Sequence, residues 1–149
     1  MAKITHVFFD IDNTLINHSG AEKEGVRKIS KKYFPKVSIF KFQKIWERYS
    51  QIYWKLYENK ELTFSQQRIR RLIDVWHSLG LSINEDQANK IFQEYLSFYE
   101  QSCDLFPEAL STLKEIKSRG IEIGAVSNEN KKQQVQKLKQ VGIYKYIDK

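Results

Sequence analysis

The spacing of apolar residues changes period twice along this chain and divides it into three stretches. Residues 4–11, Ile-Thr-His-Val-Phe-Phe-Asp-Ile, form a short run rich in β-branched and aromatic types, which predicts a buried strand. A polar, glycine-containing stretch from Asn17 to Gly20 follows. From there to about Gln101 every segment reads as helix. The first is expected from about Ala21 to Tyr33, ending before Pro35, because a residue ahead of proline is pushed out of the helical region. In the second, Phe42, Ile45, Trp46, Tyr49, Ile52, Tyr53, Leu56 and Tyr57 recur at steps of three and four and mark one apolar face. Thr63 is placed to cap a third helix, with Ile69, Leu72, Ile73 and Trp76 inward and a stop near Gly80. Asn84 is placed to cap a fourth, with Ala88, Ile91, Phe92, Tyr95 and Tyr99 inward. Four apolar stripes that each need a partner surface predict a four-helix bundle.

Beyond Cys103 the pattern changes. Pro107 stands where a first helical turn tolerates proline, and Ala109, Leu110, Leu113 and Ile116 predict a helix up to Arg119 with Gly120 as its stop. Ile121 to Val126 is a β-rich run ending in Ser127-Asn128, and a helix from about Lys132 to Val141 follows and stops at Gly142. Strand, helix, strand, helix is the grammar of a parallel sheet. The expected fold class is therefore α/β. A three-layer, Rossmann-like parallel-sheet core of residues 1–16 and 102–149 is interrupted by a helical domain at residues 17–101.

Composition adds exclusions. A chain of 149 residues, 41% hydrophobic and 29% charged with six Gly and two Pro, can bury a core and is not a disordered linker. One cysteine, Cys103, rules out an internal disulfide framework and fits a reducing, cytoplasmic setting. The longest apolar run, Val7-Phe8-Phe9, is too short to cross a bilayer, and the N-terminus shows no secretory pattern. No membrane partner is expected. The net charge of +7 is concentrated at one end: Lys131, Lys132, Lys137, Lys139, Lys145 and Lys149 against Asp148. A basic terminal segment without a groove-reading motif does not point to nucleic acid, whereas a mildly basic surface attracts phosphorylated metabolites.

The candidate chemistry lies in Phe8-Phe9-Asp10-Ile11-Asp12-Asn13-Thr14-Leu15. Residues two apart on a strand share a face, so Asp10 and Asp12 emerge together at the carboxyl end, where open α/β sheets bind ligands. Two adjacent carboxylates repel each other and any anionic substrate, a conflict that a hard cation such as Mg²⁺ resolves. An EF-hand calcium loop also begins Asp-x-Asp, but it needs Gly where Leu15 stands and Glu where Ala21 stands. The plainer alternative is a strand end with solvated carboxylates, and for Ser127-Asn128 an ordinary turn.

Asp10-x-Asp12-x-Thr14 closing an apolar strand resembles the first motif of the haloacid dehalogenase superfamily, and Ala125-Val126-Ser127-Asn128 resembles its second. The helical insertion directly after the first motif is similar to the cap of its capped members. The resemblance implies a phosphatase in which Asp10 is the nucleophile and Asp12 the general acid and base. It implies Mg²⁺ on the Asp10 carboxylate and the Asp12 carbonyl, and phosphoryl oxygens held by Asn13, Thr14, Ser127 and Asn128. Trp54 and Tyr57 followed by Leu62, Arg68 and Arg71 look like the cap of nucleotidase-like members, which implies a nucleoside monophosphate or sugar phosphate as substrate. His18, Arg68 and Arg71 are the candidate specificity residues; a solvated loop is the plainer place for His18 and a solvated helix face for the arginines. A 2-haloacid dehalogenase would share Asp10 but would not need Asp12. The family's third-motif lysine and fourth-motif acidic pair have no evident counterpart after Asn128, since Lys131 and Lys132 come too soon and Asp148 lacks a preceding apolar strand. The expectation is thus the N-terminal part of an enzyme, or a non-catalytic module of the same fold. Its Mg²⁺ binding is expected to be weak, its site short of a screening lysine, and its core edge beside Val7 and Phe9 open to homodimer formation.

Overall fold

Two strands and six α-helices succeed one another in the computed structural model, which describes residues 3–128 and 131–149. Met1, Ala2, Glu129 and Asn130, which the expected core span includes, lie outside the described residues. In chain order the elements are β1 (His6–Asp10), α1 (His18–Tyr33), α2 (Ile39–Glu58), α3 (Phe64–Ser78), α4 (Glu85–Gln101), α5 (Ala109–Ser118), β2 (Glu122–Val126) and α6 (Lys131–Gln140). A 3₁₀ turn, Tyr144–Tyr146, follows α6. The chain divides into two compact units, Met1–Glu22 with Glu100–Lys149, and Lys23–Tyr99. Among the described residues no helix is long and apolar enough to cross a membrane.

In the first unit β1 and β2 pair in parallel, in register from His6 opposite Glu122 to Asp10 opposite Val126. The chain's last residues run along the other edge of β2. The Asp148 N–H donates to the Ile123 carbonyl at 2.7 Å, and the Ala125 N–H donates to the Lys149 carbonyl at 3.0 Å. Strand side chains alternate between faces. One face sets Phe9, Ile123 and Ala125 against a core of Ile11, Leu15, Ile16, Leu113, Leu138 and Ile143. Burying each aliphatic side chain there contributes about 1.5–3 kcal/mol. The other face carries His6, Phe8, Asp10, Glu122 and Val126, all exposed.

The expected three-layer core with a buried first strand is therefore corrected: among the described residues one face of the sheet is covered. The apolar run hid a period of two, because Phe8, 58% exposed, is a large apolar residue on the open face. Its ring lies across Gly124 of the neighbouring strand, where a Cβ would come within 2.3 Å of it. Phe8 thus covers its strand partner instead of entering the core.

Helix ends follow local chemistry. α1 begins three residues before the expected Ala21, because the Asn17 side chain accepts from the Gly20 N–H at 3.0 Å and carries Ser19 and Gly20 into the first turn. Gly120 and Gly142, at φ +71° and +79°, end α5 and α6 in the left-handed conformation that glycine adopts without penalty. In the second unit Thr63 and Gln66 form a reciprocal capping box at α3, and Asn84 with Gln87 does the same ahead of α4.

The helices of that unit meet through aromatic side chains. Trp76 of α3 contacts Tyr33 of α1 and Phe34 edge to face, and Trp46 of α2 lies 4.9 Å from the Tyr95 ring of α4. Two polar clusters at these seams are paired, whereas the Trp46 indole N–H is buried without a hydrogen-bond partner among the described residues. The Tyr53 hydroxyl, pushed up to about 12 by burial and by its hydrogen bond to Asp74, donates to that carboxylate at 2.6 Å. Lys32 and Tyr33 donate to Glu94, which the Lys32 hydrogen bond holds below the usual carboxylate range. The inward residues expected for α4 are all buried. Two other stripes are corrected. Ile52 is 43% exposed, and α3 buries Leu72, Val75 and Trp76 while Ile69 and Ile73 stay half-buried. A stripe kept at steps of three and four drifts around a helix of 3.6 residues per turn, so position along a long helix decides burial as much as period does.

Two outcomes follow. Replacing Thr63 by Ala should lower the unfolding free energy by about 1 kcal/mol in denaturant titration, since it removes an N-cap; an unchanged midpoint would show the box to be idle. The Asp148 carboxyl is held below its ordinary range first by the Ile123 N–H and then by Lys117 at 2.8 Å. A lowered folded value means its contribution is present above the ordinary carboxylate range and is lost as pH falls through the lowered value. Thermal melts of parent and Asp148→Asn should accordingly differ at neutral pH and converge in acid, whereas a gap that persists in acid would contradict this.

Candidate active site

The site begins where β1 ends. Ile11 is buried, so the chain turns back into the core immediately after Asp10. Three N–H groups, of Thr14, Leu15 and Ile16, converge on the Ile11 carbonyl, and the Asn13 N–H donates to the Ile16 carbonyl at 2.8 Å. So tight a loop places Asn13 at φ +60°, a left-handed conformation that asparagine tolerates better than most residues. The Asn13 carboxamide oxygen accepts from the Ser19 N–H at 2.9 Å, which ties the loop to the first turn of α1. Both the amide N–H and the side-chain oxygen of Asn13 are thus engaged inside the loop.

Asp10 is exposed, and the Thr14 hydroxyl donates to its Oδ2 at 3.0 Å. Asp12 is half-buried and has three side-chain nitrogens around its carboxylate. Lys137 Nζ stands 2.6 Å from Oδ1, Gln134 Nε2 donates to Oδ2 at 2.7 Å, and His18 Nδ1 lies 3.8 Å from Oδ1. Ser127 directly follows β2, and its Oγ accepts from the same Gln134 Nε2 at 2.9 Å. Asn128 is exposed beside it. At the carboxyl ends of two parallel strands Gln134 therefore bridges Asp12 and Ser127, while Asp10 pairs separately with Thr14.

His18 is the first residue of α1, not a loop histidine as the sequence suggested, with Glu22 at 3.9 Å on its other nitrogen. The Asn17 cap, read only as loop polarity, accounts for the difference. Arg68 and Arg71 belong to the second unit. The Arg68 guanidinium lies 4.0 Å from the centre of the Phe64 ring; Arg71 lies over the Trp46 and Phe92 rings and donates to Ser50 at 3.2 Å.

Gln134 and Lys137 are the residues that sequence reasoning missed. Lys137 places an ammonium against Asp12, whereas the lysine expected to be lacking is one that screens Asp10. A signal was present. α6 has few apolar residues, so its inward face had to include polar ones, and Gln134, Lys137 and Leu138 recur at the steps of one helical face.

Mg²⁺ fits the donors present. The Asp10 carboxylate is exposed, and the Asp12 carbonyl accepts no backbone hydrogen bond among the described residues. Among those residues no group of three or more His, Cys, Asp or Glu is placed to hold a metal. Two protein oxygens suit an ion that keeps most of its waters, as Mg²⁺ does.

A family model described as hydrolase, haloacid dehalogenase-like, matches residues 4–149. A protein of Clostridium perfringens (strain 13 / Type A) that bears the name pyrophosphatase PpaX is 25% identical over 145 residues, which are 97% of this chain and 58% of that protein. The magnesium-bound structure of the HAD-hydrolase YfnB from Bacillus subtilis has a similar fold, with a TM-score of 0.82 at 16% identity over 99% of this chain and 62% of that one. A beta-phosphoglucomutase of Thermotoga maritima follows at a TM-score of 0.71 and 15% identity, over 97% of this chain and 59% of that one. An L-2-haloacid dehalogenase from Xanthobacter autotrophicus has a TM-score of 0.64 at 17% identity, over 98% and 55%. The chain spans about three-fifths of the length of these relatives.

The loop geometry makes a differential prediction. Asn13→Ala and Asn13→Gly both lose the bond to Ser19, but only alanine also meets the penalty of a left-handed conformation, about 1–2 kcal/mol. Urea denaturation should find the alanine variant less stable than the glycine variant by about that amount; equal stabilities would mean that the loop relaxes.

Proposed function

Because the chain belongs to the haloacid dehalogenase-like hydrolases, we propose that it carries the catalytic carboxylates of a Mg²⁺-dependent hydrolase of small phosphate monoesters. The observation that carries this reading is the Gln134 amide shared between Asp12 and Ser127. It joins an acidic loop after the first strand to a hydroxyl after the second, where a phosphoryl group needs both a nucleophile and donors.

In this reading Asp10 attacks phosphorus through a carboxylate oxygen, while the Thr14 hydrogen bond fixes the orientation of the group. The bond from phosphorus to the ester oxygen breaks, and that oxygen leaves with a proton from Asp12. Asp12, now a carboxylate, takes a proton from the water that attacks the aspartyl-phosphate, which returns Asp10 and releases phosphate. The Ser127 hydroxyl and the Asn128 backbone N–H donate to the phosphoryl oxygens, over which the transition state spreads its charge. The Asp10 carboxylate and the Asp12 carbonyl would hold Mg²⁺, and its charge would offset the negative charge that accumulates there. Dehalogenation of a 2-haloacid would have no use for a proton donor at Asp12, because halide leaves unprotonated.

Nucleoside monophosphates and sugar phosphates head the list of substrates, and the name of the C. perfringens relative adds inorganic pyrophosphate to the panel. His18, Arg68 and Arg71 are the first substitutions to try when ranking them.

Hydrolysis of 4-nitrophenyl phosphate should require Mg²⁺, stop on addition of EDTA and resume when Mg²⁺ is restored. Asp10→Asn should lower kcat by about 10³-fold or more with little change in the unfolding midpoint, as expected for loss of a nucleophile. Hydrolysis by that variant at the parental rate would remove Asp10 from the chemistry.

A further inference from the structure

α6 contributes two polar side chains that the reaction as written does not use. Gln134 and Lys137 are each 4% exposed, as deeply buried as the leucine beside them. Burying an ammonium costs free energy unless a partner of opposite charge accepts it. Burying an amide is costly unless its groups are paired, and the Gln134 Oε1 has no hydrogen-bond partner among the described residues. A leucine or methionine at either position would pack without these costs. What the pair gains is control of one carboxylate. A carboxylate can only accept, so its contact with Gln134 fixes the amide with Nε2 toward Asp12 and Ser127. Lys137 takes Oδ1 and Gln134 takes Oδ2. With both oxygens engaged from one helix face, rotation of the carboxylate about its χ torsions costs both contacts. Ser127 Oγ accepts from Gln134, so its own hydrogen is directed away from that amide.

We propose that Gln134 and Lys137 are positioning residues: they hold the Asp12 carboxylate in one rotamer and set its spacing to the Ser127 hydroxyl, so that proton transfer to the leaving oxygen occurs at a fixed distance. The proposal rests on Asp12 acting as general acid and base. It explains why a helix with so few apolar residues turns a lysine and a glutamine inward. Both side chains act on the reaction through their contacts with Asp12 and Ser127.

A proton donor matters most when the leaving group is poor. General acid–base catalysis typically contributes about 10²–10⁴-fold to rate, and 4-nitrophenolate leaves well without a proton. Gln134→Leu and Lys137→Met should therefore reduce kcat for an alkyl phosphate by about 10²-fold more than for 4-nitrophenyl phosphate, with KM nearly unchanged. An equal loss for both esters, or no loss for either, would overturn the proposal and leave the two residues as packing. Asp12→Asn measured alongside separates the two levels of the argument. If Asp12→Asn shows no dependence on the leaving group, the general-acid reading itself fails; if it does and the α6 variants do not, only the positioning role fails. Crystal structures of the α6 variants supply a readout independent of turnover: the Asp12 carboxylate should leave its parental rotamer, and an unmoved Asp12 would overturn the proposal.

Discussion

In a parallel pair both strands end on the same side, and here β1 ends at Asp10 opposite Val126. That register delivers two segments far apart in the sequence, the Asp12 loop and Ser127, to one edge of the sheet. An antiparallel pairing of the same strands would send them to opposite ends, and a slip of one residue would exchange the faces. The core enforces the register. Phe9 and Ala125 pack against its buried cluster and Ile123 is fully inside it, while Asp10 and Val126 stay on the open face. The position of the carboxylates thus follows from the hydrophobic alternation of two five-residue strands.

Charge is the second constraint, because two aspartates lie two residues apart where β1 ends. The fold treats them differently. Asp10 is exposed and accepts from one hydroxyl, which suits the nucleophile and metal ligand proposed here. Asp12 is half-buried between an ammonium and an amide, which suits a group that must keep one orientation. The difference comes from backbone geometry. The left-handed turn at Asn13 lets Leu15 and Ile16 re-enter the core, which leaves Asp12 facing α6.

Much of this was legible in the sequence. The Asp10–Asp12 pair at a strand end, the strand before Ser127, the Thr63 and Asn84 caps and the buried residues of α4 all follow from spacing and local chemistry. What escaped was set by context. Phe8 read as core because an apolar residue on an open face looks the same in sequence as one facing inward. His18 read as loop because the Asn17 cap starts α1 earlier than the apolar periodicity does. Lys137 read as one more charge in a basic terminal stretch, since nothing local distinguishes a solvated lysine from one directed at a carboxylate 125 positions earlier. Burial of polar residues is decided by partners distant in sequence, which periodicity does not see.

The central claim is that Asp10 is the residue phosphorylated during turnover, and trapping the intermediate tests it most directly. The Asp12→Asn variant, which should break the intermediate down slowly, would be mixed with substrate and Mg²⁺, quenched in acid, digested and mapped by mass spectrometry. The account predicts a phosphoryl adduct on the peptide containing Asp10, dependent on substrate and absent when Asp10 is also replaced by Asn. An adduct on another residue, or product release by this variant at the parental rate with Asp10 unmodified throughout, would contradict it.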